Sequence, residues 1–209
     1  SDGTQALMRS SHAVVTNVDD DHCWSLGGVA ALEQCFVTFA GRARQLFTWK
    51  DATTARLFAG HPAAHFLTPA DLPAGLTLAV PGEHNRKNAA VAVAVAAALG
   101  VPADQAAAAL ASFQGVSRRL SERYCSPGAR DLVVEDYAHH PNELRASLQA
   151  LREQHPGVRL GVIFQPHRFE RVKRYAAEFS QILQAAADAF WLVPPFAAWM
   201  QDQELADPR

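Results

Sequence analysis

The stretch Glu135-Asp136-Tyr137-Ala138-His139-His140-Pro141-Asn142-Glu143 joins two runs of different period. Before it, Asp131-Leu-Val-Val134 is short and β-branched, which predicts a strand over Leu132–Glu135. After it, Leu144 to Leu151 carries the helical spacing, which predicts a helix over Asn142–Gln154. An acid, a phenol ring and two imidazoles therefore fall where a strand ends and a helix begins. In open α/β sheets that is where ligands bind. Asp136 could accept from a ribose hydroxyl, Tyr137 could stack on a base, and His139 and His140 could meet substrate or phosphate. The competing reading is a helix cap, with Asn142 as the capping residue and Pro141 in the turn.

The same rhythm continues downstream. Strand Arg159–Phe164, helix Arg171–Ala186 and strand Ala189–Val193 follow in order. Such alternation predicts a parallel sheet with right-handed crossovers. Upstream, His12-Ala-Val-Val-Thr16 reads as a buried parallel strand, and Val29–Ala40 as a helix with Val29, Leu32, Cys35, Phe36 and Phe39 on one side. Between Leu46 and Val80 the runs Leu46–Trp49, Arg56–Phe58, His65–Leu67 and Leu76–Val80 are split by glycine and proline, which predicts short strands. Pro81-Gly82-Glu83-His84-Asn85 opens an alanine-rich helix reaching Leu99. Gly100 suits its C′ position, and Pro102 starts a second helix that runs to Phe113. Gln114–Glu122 reads as a polar link. The domain division is placed at 1–120 and 121–209.

Composition narrows the function. The 209 residues are 49% hydrophobic and 19% charged, with a formal net charge of −2. No electrostatic case exists for nucleic acid or an anionic membrane. Cys23, Cys35 and Cys125 have no C-x-x-C spacing, which predicts free thiols in a reducing compartment. The longest apolar run, Ala89 to Leu99, is far short of the roughly 20 residues of a membrane span. The opening Ser1-Asp2-Gly3-Thr4 is polar, so no signal peptide is expected.

Four further clusters carry chemistry. Thr16-Asn-Val-Asp-Asp-Asp-His22 either holds a hard divalent cation or is an acidic loop capping the next helix. In His84-Asn-Arg-Lys-Asn88, Asn85 and Asn88 share one face of a helix start, suited to phosphate or a purine edge; otherwise Asn85 is the cap. Arg118 and Arg119 either meet polyphosphate or lie in a solvated link. Phe164-Gln-Pro-His-Arg-Phe-Glu-Arg171 again follows a strand and opens a helix; its basic groups could hold a carboxylate, and arginine at a helix start opposes the helix dipole, which hints at function.

Together these pieces resemble the Mur ligases. The matching stretches are Val14–His22, Gly82–Asn88, Ser112–Arg119, Glu135–Pro141 and Phe164–Arg168, in the family's order and across nearly the whole chain. The resemblance implies an α/β fold, with residues 1–120 as part of a P-loop-type central ATP-binding domain. Residues 121–209 would be an incomplete Rossmann-like parallel-sheet C-terminal domain. The phosphate loop would lie upstream, since no G-x-x-x-x-G-K-[ST] occurs in the chain, and Ser1-Asp2 resembles the end of a Glu-Ser-Asp motif. It also implies roles. His22 would be a magnesium ligand. Asn85, Asn88, Arg119, Asp136 and Tyr137 would hold ATP by its base, phosphates and ribose. His139, His167 and Arg168 would face the incoming amino acid or an acyl phosphate. The implied reaction is ATP- and Mg2+-dependent amide formation in cytoplasmic peptidoglycan precursor synthesis, which the isolated chain is not expected to perform. Phe164–Arg168 resembles the branch that uses UDP-N-acetylmuramate and L-alanine. Gly82–Asn88 and Arg118–Leu120 also resemble the branch that recycles murein tripeptide. A nucleotide-binding module without chemistry is a further alternative, and the oligomeric state is open.

Overall fold

A computed structural model describes residues 3–128 and 131–196. The chain divides into two compact units, Ser1–Gln114 and Gly115–Arg209. The Arg118–Leu120 turn therefore goes with the second unit, although the division is expected after residue 120.

In the first unit, β1 (His12–Val15), β2 (Gln45–Trp49) and β3 (Ala64–Leu67) form a parallel sheet in that spatial order. Ala13 pairs with Leu46, and Thr48 with Phe66. Helices α1 (Val29–Gly41) and α2 (Ala52–Leu57) lie between the strands in sequence, and α3 (Glu83–Ala98) and α4 (Ala103–Ala111) follow them. β2 is buried almost throughout because both faces are covered. Leu46 packs with Ala13, Val15, Ala40 and Phe58 on one side. Phe47 and Trp49 pack with Leu67, Ala90 and Val91 of α3 on the other.

Two expectations for the 46–80 region need correction. Arg56 and Leu57 belong to helix α2, and Phe58 is its C-cap. The Asp51 carboxylate accepts from the Thr54 amide at 2.8 Å, and the Thr54 hydroxyl accepts from the Asp51 amide at 3.0 Å. This capping box starts a helix where composition alone reads as strand. Leu76–Val80 forms no strand; it runs between Gly75, at φ 72°, and Pro81. The end of α3 agrees with expectation. Gly100, at φ 86°, donates to the Ala97 carbonyl at 3.0 Å, and Val101 to that of Ala96 at 2.9 Å. That pair of bonds is a Schellman motif.

The second unit contains β4 (Ser121–Cys125), β5 (Leu132–Glu135), α5 (Pro141–Gln154), β6 (Gly161–Phe164), α6 (Phe169–Ala186) and β7 (Ala189–Leu192). β6 and β7 pair in parallel, with Val162 opposite Phe190. β5 instead pairs antiparallel with β4, with an irregularity between Glu122 and Tyr124. A strand thus replaces the tail of the expected link. It escapes the periodicity argument because four of its five residues are exposed and it needs little apolar character. The core joins Leu144 and Leu148 of α5 to Phe164 of β6 and to Tyr175, Phe179, Ile182 and Leu183 of α6. Those α6 positions follow the helical period, and each buried side chain contributes about 1.5–3 kcal/mol. Among the described residues no helix is long and apolar enough to cross a membrane.

Candidate functional site

In the second unit the site grows from the carboxyl end of β5. The Asp136 carboxylate accepts three protein hydrogen bonds. They come from the Leu120 amide at 2.8 Å, the Ala138 amide at 2.8 Å and the Ser147 hydroxyl at 3.0 Å. Asp136 thus ties the turn before β4 to the β5–α5 loop and to α5. A carboxylate offers about four acceptor positions, so one remains for a ligand.

His140 is the N-cap of α5, with Pro141 at N1, so Asn142 is not the capping residue expected. The buried His140 ring packs edge-on against Tyr175 at 5.0 Å. Glu143, at N3, closes the capping box by accepting from the His140 amide at 3.2 Å, and it also accepts from the His139 amide at 3.0 Å. Burial works to raise the Glu143 pKa. The His139 amide and imidazole, the Arg119 guanidinium and the His140 amide outweigh it and hold the carboxyl below its ordinary value.

The strand ends bring the expected aromatic groups into one row. Tyr137 meets His139 edge-on at 5.0 Å, His139 lies 5.9 Å from His167, and His167 stacks on Phe196 at 5.4 Å. The carboxyl ends of β5 and β6 and the segment beyond β7 supply these residues. Arg168, at φ 69°, is held by its amide to the Phe196 carbonyl at 3.0 Å. A bulky residue at positive φ is strained, and such strain gathers at functional sites. The Nε of Arg168 is buried with no hydrogen-bond partner among the described residues.

The two arginines of the link differ in their surroundings. Arg118, at φ 62°, donates to Glu135 at 3.1 Å and lies 4.7 Å from the Tyr137 ring centre. Arg119 reaches Glu143 at 3.5 Å and lies 5.8 Å from the same ring. Arg119 is the more loosely held and so the better placed to turn toward phosphate. Glu135 also accepts from Arg123 Nε at 2.6 Å, and this bond does most to hold its carboxyl below the ordinary range.

Sequence reasoning gave no role to Glu143 or Ser147, and it set Arg171 only among the basic groups of the turn after β6. Glu143 had a signal, as the acid three residues after a cap. Arg171 had one too, since it stands on the apolar stripe of α6. It is 1% exposed and donates to the His167 carbonyl at 2.8 Å. Ser147 had none.

In the first unit, Asn88 and Thr16 line one cleft of about 660 Å³, otherwise walled by apolar residues such as Val14, Val91 and Val95. Gly82 is the N-cap of α3, so Asn85 lies inside the first turn rather than capping it. Its side chain donates to the Pro81 carbonyl at 2.6 Å. His22, at φ 60°, stacks on Trp24 at 5.5 Å with Asp21 3.3 Å from its Nε2. Among the described residues no group of three metal-binding side chains occurs. Magnesium takes oxygen ligands and keeps several waters, so of this pair the Asp21 carboxylate fits it better than the His22 imidazole, which faces Asp21 here.

Residues 118–207 match the family described as Mur ligase, glutamate ligase domain. The UDP-N-acetylmuramate–L-alanine ligase of Renibacterium salmoninarum is 37% identical over 217 residues, covering 89% of this chain and 46% of that protein. Its counterpart from an Arthrobacter species is 38% identical over 221 residues, covering 92% and 47%. The crystal structure of the UDP-N-acetylmuramate–alanine ligase of Thermotoga maritima aligns with a TM-score of 0.75 at 25% identity, over 93% of this chain and 48% of that one. The chain spans about half the length of the curated relatives it matches. By sequence and by fold, this chain belongs to the Mur ligase family.

Proposed function

We propose that this chain works in an ATP-dependent ligase that joins L-alanine to UDP-N-acetylmuramate during cytoplasmic synthesis of peptidoglycan precursors. The observation that carries this reading is the row of Tyr137, His139 and His167, with Arg119 beside it, at strand ends of a chain 37–38% identical to alanine ligases. The first compact unit is assigned to nucleotide binding, and the second to amino-acid delivery and to further contacts with the nucleotide.

The reaction activates a carboxylate. The lactyl carboxylate of UDP-N-acetylmuramate takes the γ-phosphoryl group of ATP, giving an acyl phosphate, and the amine of L-alanine displaces phosphate from that carbonyl. Asn85 and Asn88 are assigned to the nucleotide, Tyr137 to the base face, and the remaining acceptor position of Asp136 to the ribose. Arg119 leaves its long contact with Glu143 to meet phosphate, where a guanidinium stabilises developing charge. His139, His167 and Arg168 are assigned to the amino acid and acyl phosphate. Magnesium, when bound, offsets the crowded phosphate charge, and His22 with Asp21 would help hold it.

A chimera tests this reading, with the chain replacing the equivalent half of the Renibacterium salmoninarum relative. Phosphate release that requires ATP, UDP-N-acetylmuramate and L-alanine together is the expected result. A folded chimera that releases none, or that prefers a murein tripeptide, would overturn it.

A further inference from the structure

Two adjacent histidines at the start of α5 present their Nδ1 atoms to opposite kinds of partner. His139 Nδ1 lies 2.8 Å from the Tyr137 carbonyl oxygen and 3.4 Å from Oε2 of Glu143. Both are acceptors, so Nδ1 is the donor, and in the neutral ring Nε2 then carries the lone pair. His140 Nδ1 instead accepts from the Asn142 amide at 3.4 Å, so there Nδ1 has the lone pair. One histidine is locked for capping, and its neighbour is left with a basic Nε2.

Glu143 controls this arrangement. Its Oε2 accepts from the His139 amide at 3.0 Å and the His140 amide at 3.2 Å while facing His139 Nδ1. It therefore fixes both the main chain and the ring. Among the described residues, the rings of Tyr137 and His167 also stand against the His139 ring.

An amino acid arrives with its nitrogen as an ammonium group, which has no lone pair to attack a carbonyl. We propose that Nε2 of His139 takes that proton, and that Glu143 is the positioning residue that sets the tautomer and faces the resulting imidazolium. The proposal rests on the ligase reading above. The substrate N–H bond breaks and the Nε2–H bond forms. The freed amine then makes the C–N bond as the carbonyl–phosphate bond breaks. A second amine proton leaves with phosphate, and the imidazolium returns its proton to water.

The tautomer is tested in the 209-residue chain by long-range nitrogen–proton NMR of the imidazoles at neutral pH, with His139 assigned through His139→Gln. His139 is expected to carry its proton on Nδ1, and His140 on Nε2 as an internal control; an Nε2-protonated His139 would overturn the proposal. Glu143→Ala is expected to mix the tautomers at His139, and Glu143→Gln, which keeps the acceptor, to restore a single form. Should Glu143→Ala lose its fold, Glu143→Asp takes its place, because a shorter arm still caps the helix but misses Nδ1. An unchanged His139 spectrum in the folded variant would remove Glu143 from the proposal.

The proton's destination is tested in the chimera with hydroxylamine, which is already an unprotonated amine at neutral pH. His139→Gln is expected to slow alanine ligation about a hundredfold more than it slows hydroxamate formation. Equal loss with both nucleophiles would overturn the proton-acceptor role. No hydroxamate from the unsubstituted chimera would instead sink the ligase reading and leave the tautomer result standing.

Discussion

Replacing Asp136 with alanine should unfold the second unit far more readily than loss of a surface carboxylate would. The substitution orphans the Leu120 amide, the Ala138 amide and the Ser147 hydroxyl together. Hydrogen bonds to a charged group are worth about 1.5–3 kcal/mol each. The site is only partly buried, so water recovers much of that, and a net cost of about 3 kcal/mol is expected. At a urea dependence of about 2 kcal/mol per molar, the midpoint falls by about 1.5 M. Ser147→Ala removes one neutral donor and should cost about 1 kcal/mol. Asp136→Asn should fall between them, because an amide can satisfy either Leu120 or the Ala138–Ser147 side but not both. The assay is a urea titration followed by amide NMR signals from α5 and β5, which report the second unit alone. If Asp136→Ala moved the midpoint by less than about 0.3 M, the carboxylate would not be the tie described, and its role would be reserved for ligand.

Three further outcomes are expected. Glu143 titrates below its ordinary value of 4.5, so its contribution to stability is complete above that pH and is lost as pH falls through the folded value. Denaturation measured at pH 7 and pH 3 should show Glu143→Gln flattening the acid-side loss, and an unchanged acid slope would contradict this. Leu183→Ala, at a position 1% exposed, should cost the second unit about 3–4 kcal/mol and leave signals from β2 unmoved. A cost below 1 kcal/mol would mean that the α5–α6 core collapses around the gap. The 209-residue chain alone, which has no G-x-x-x-x-G-K-[ST] segment, should release no phosphate from ATP with muramate and alanine substrates present; phosphate release dependent on all three would refute that.

How much was legible in the residues varies from element to element. The β5 turn, the Val29 helix, the Gly100 stop and the alternation of strand and helix after residue 131 could all be read, because each depends on neighbours within a few positions. Arg56–Phe58 misled because a capping box between Asp51 and Thr54 outweighs β-like composition. β4 was unreadable because an exposed strand needs no apolar pattern. Of the candidate residues, Tyr137, His139 and His167 were named from the sequence, but their meeting in one row depends on where separate strands end.

By itself the sequence determined the α/β class, the family and the turn Glu135–Glu143 as the place to look, since local period and short motifs encode these directly. Only the tertiary structure decided what each side chain in that turn is occupied with. Asp136 is largely taken up in holding Leu120, Ala138 and Ser147, Glu143 sits between Arg119 and His139, and adjacent histidines turn their Nδ1 atoms to opposite kinds of partner. Those assignments depend on hydrogen-bond partners set at fixed distances by the packing of β4, β5, α5 and α6, and no spacing along the chain specifies them.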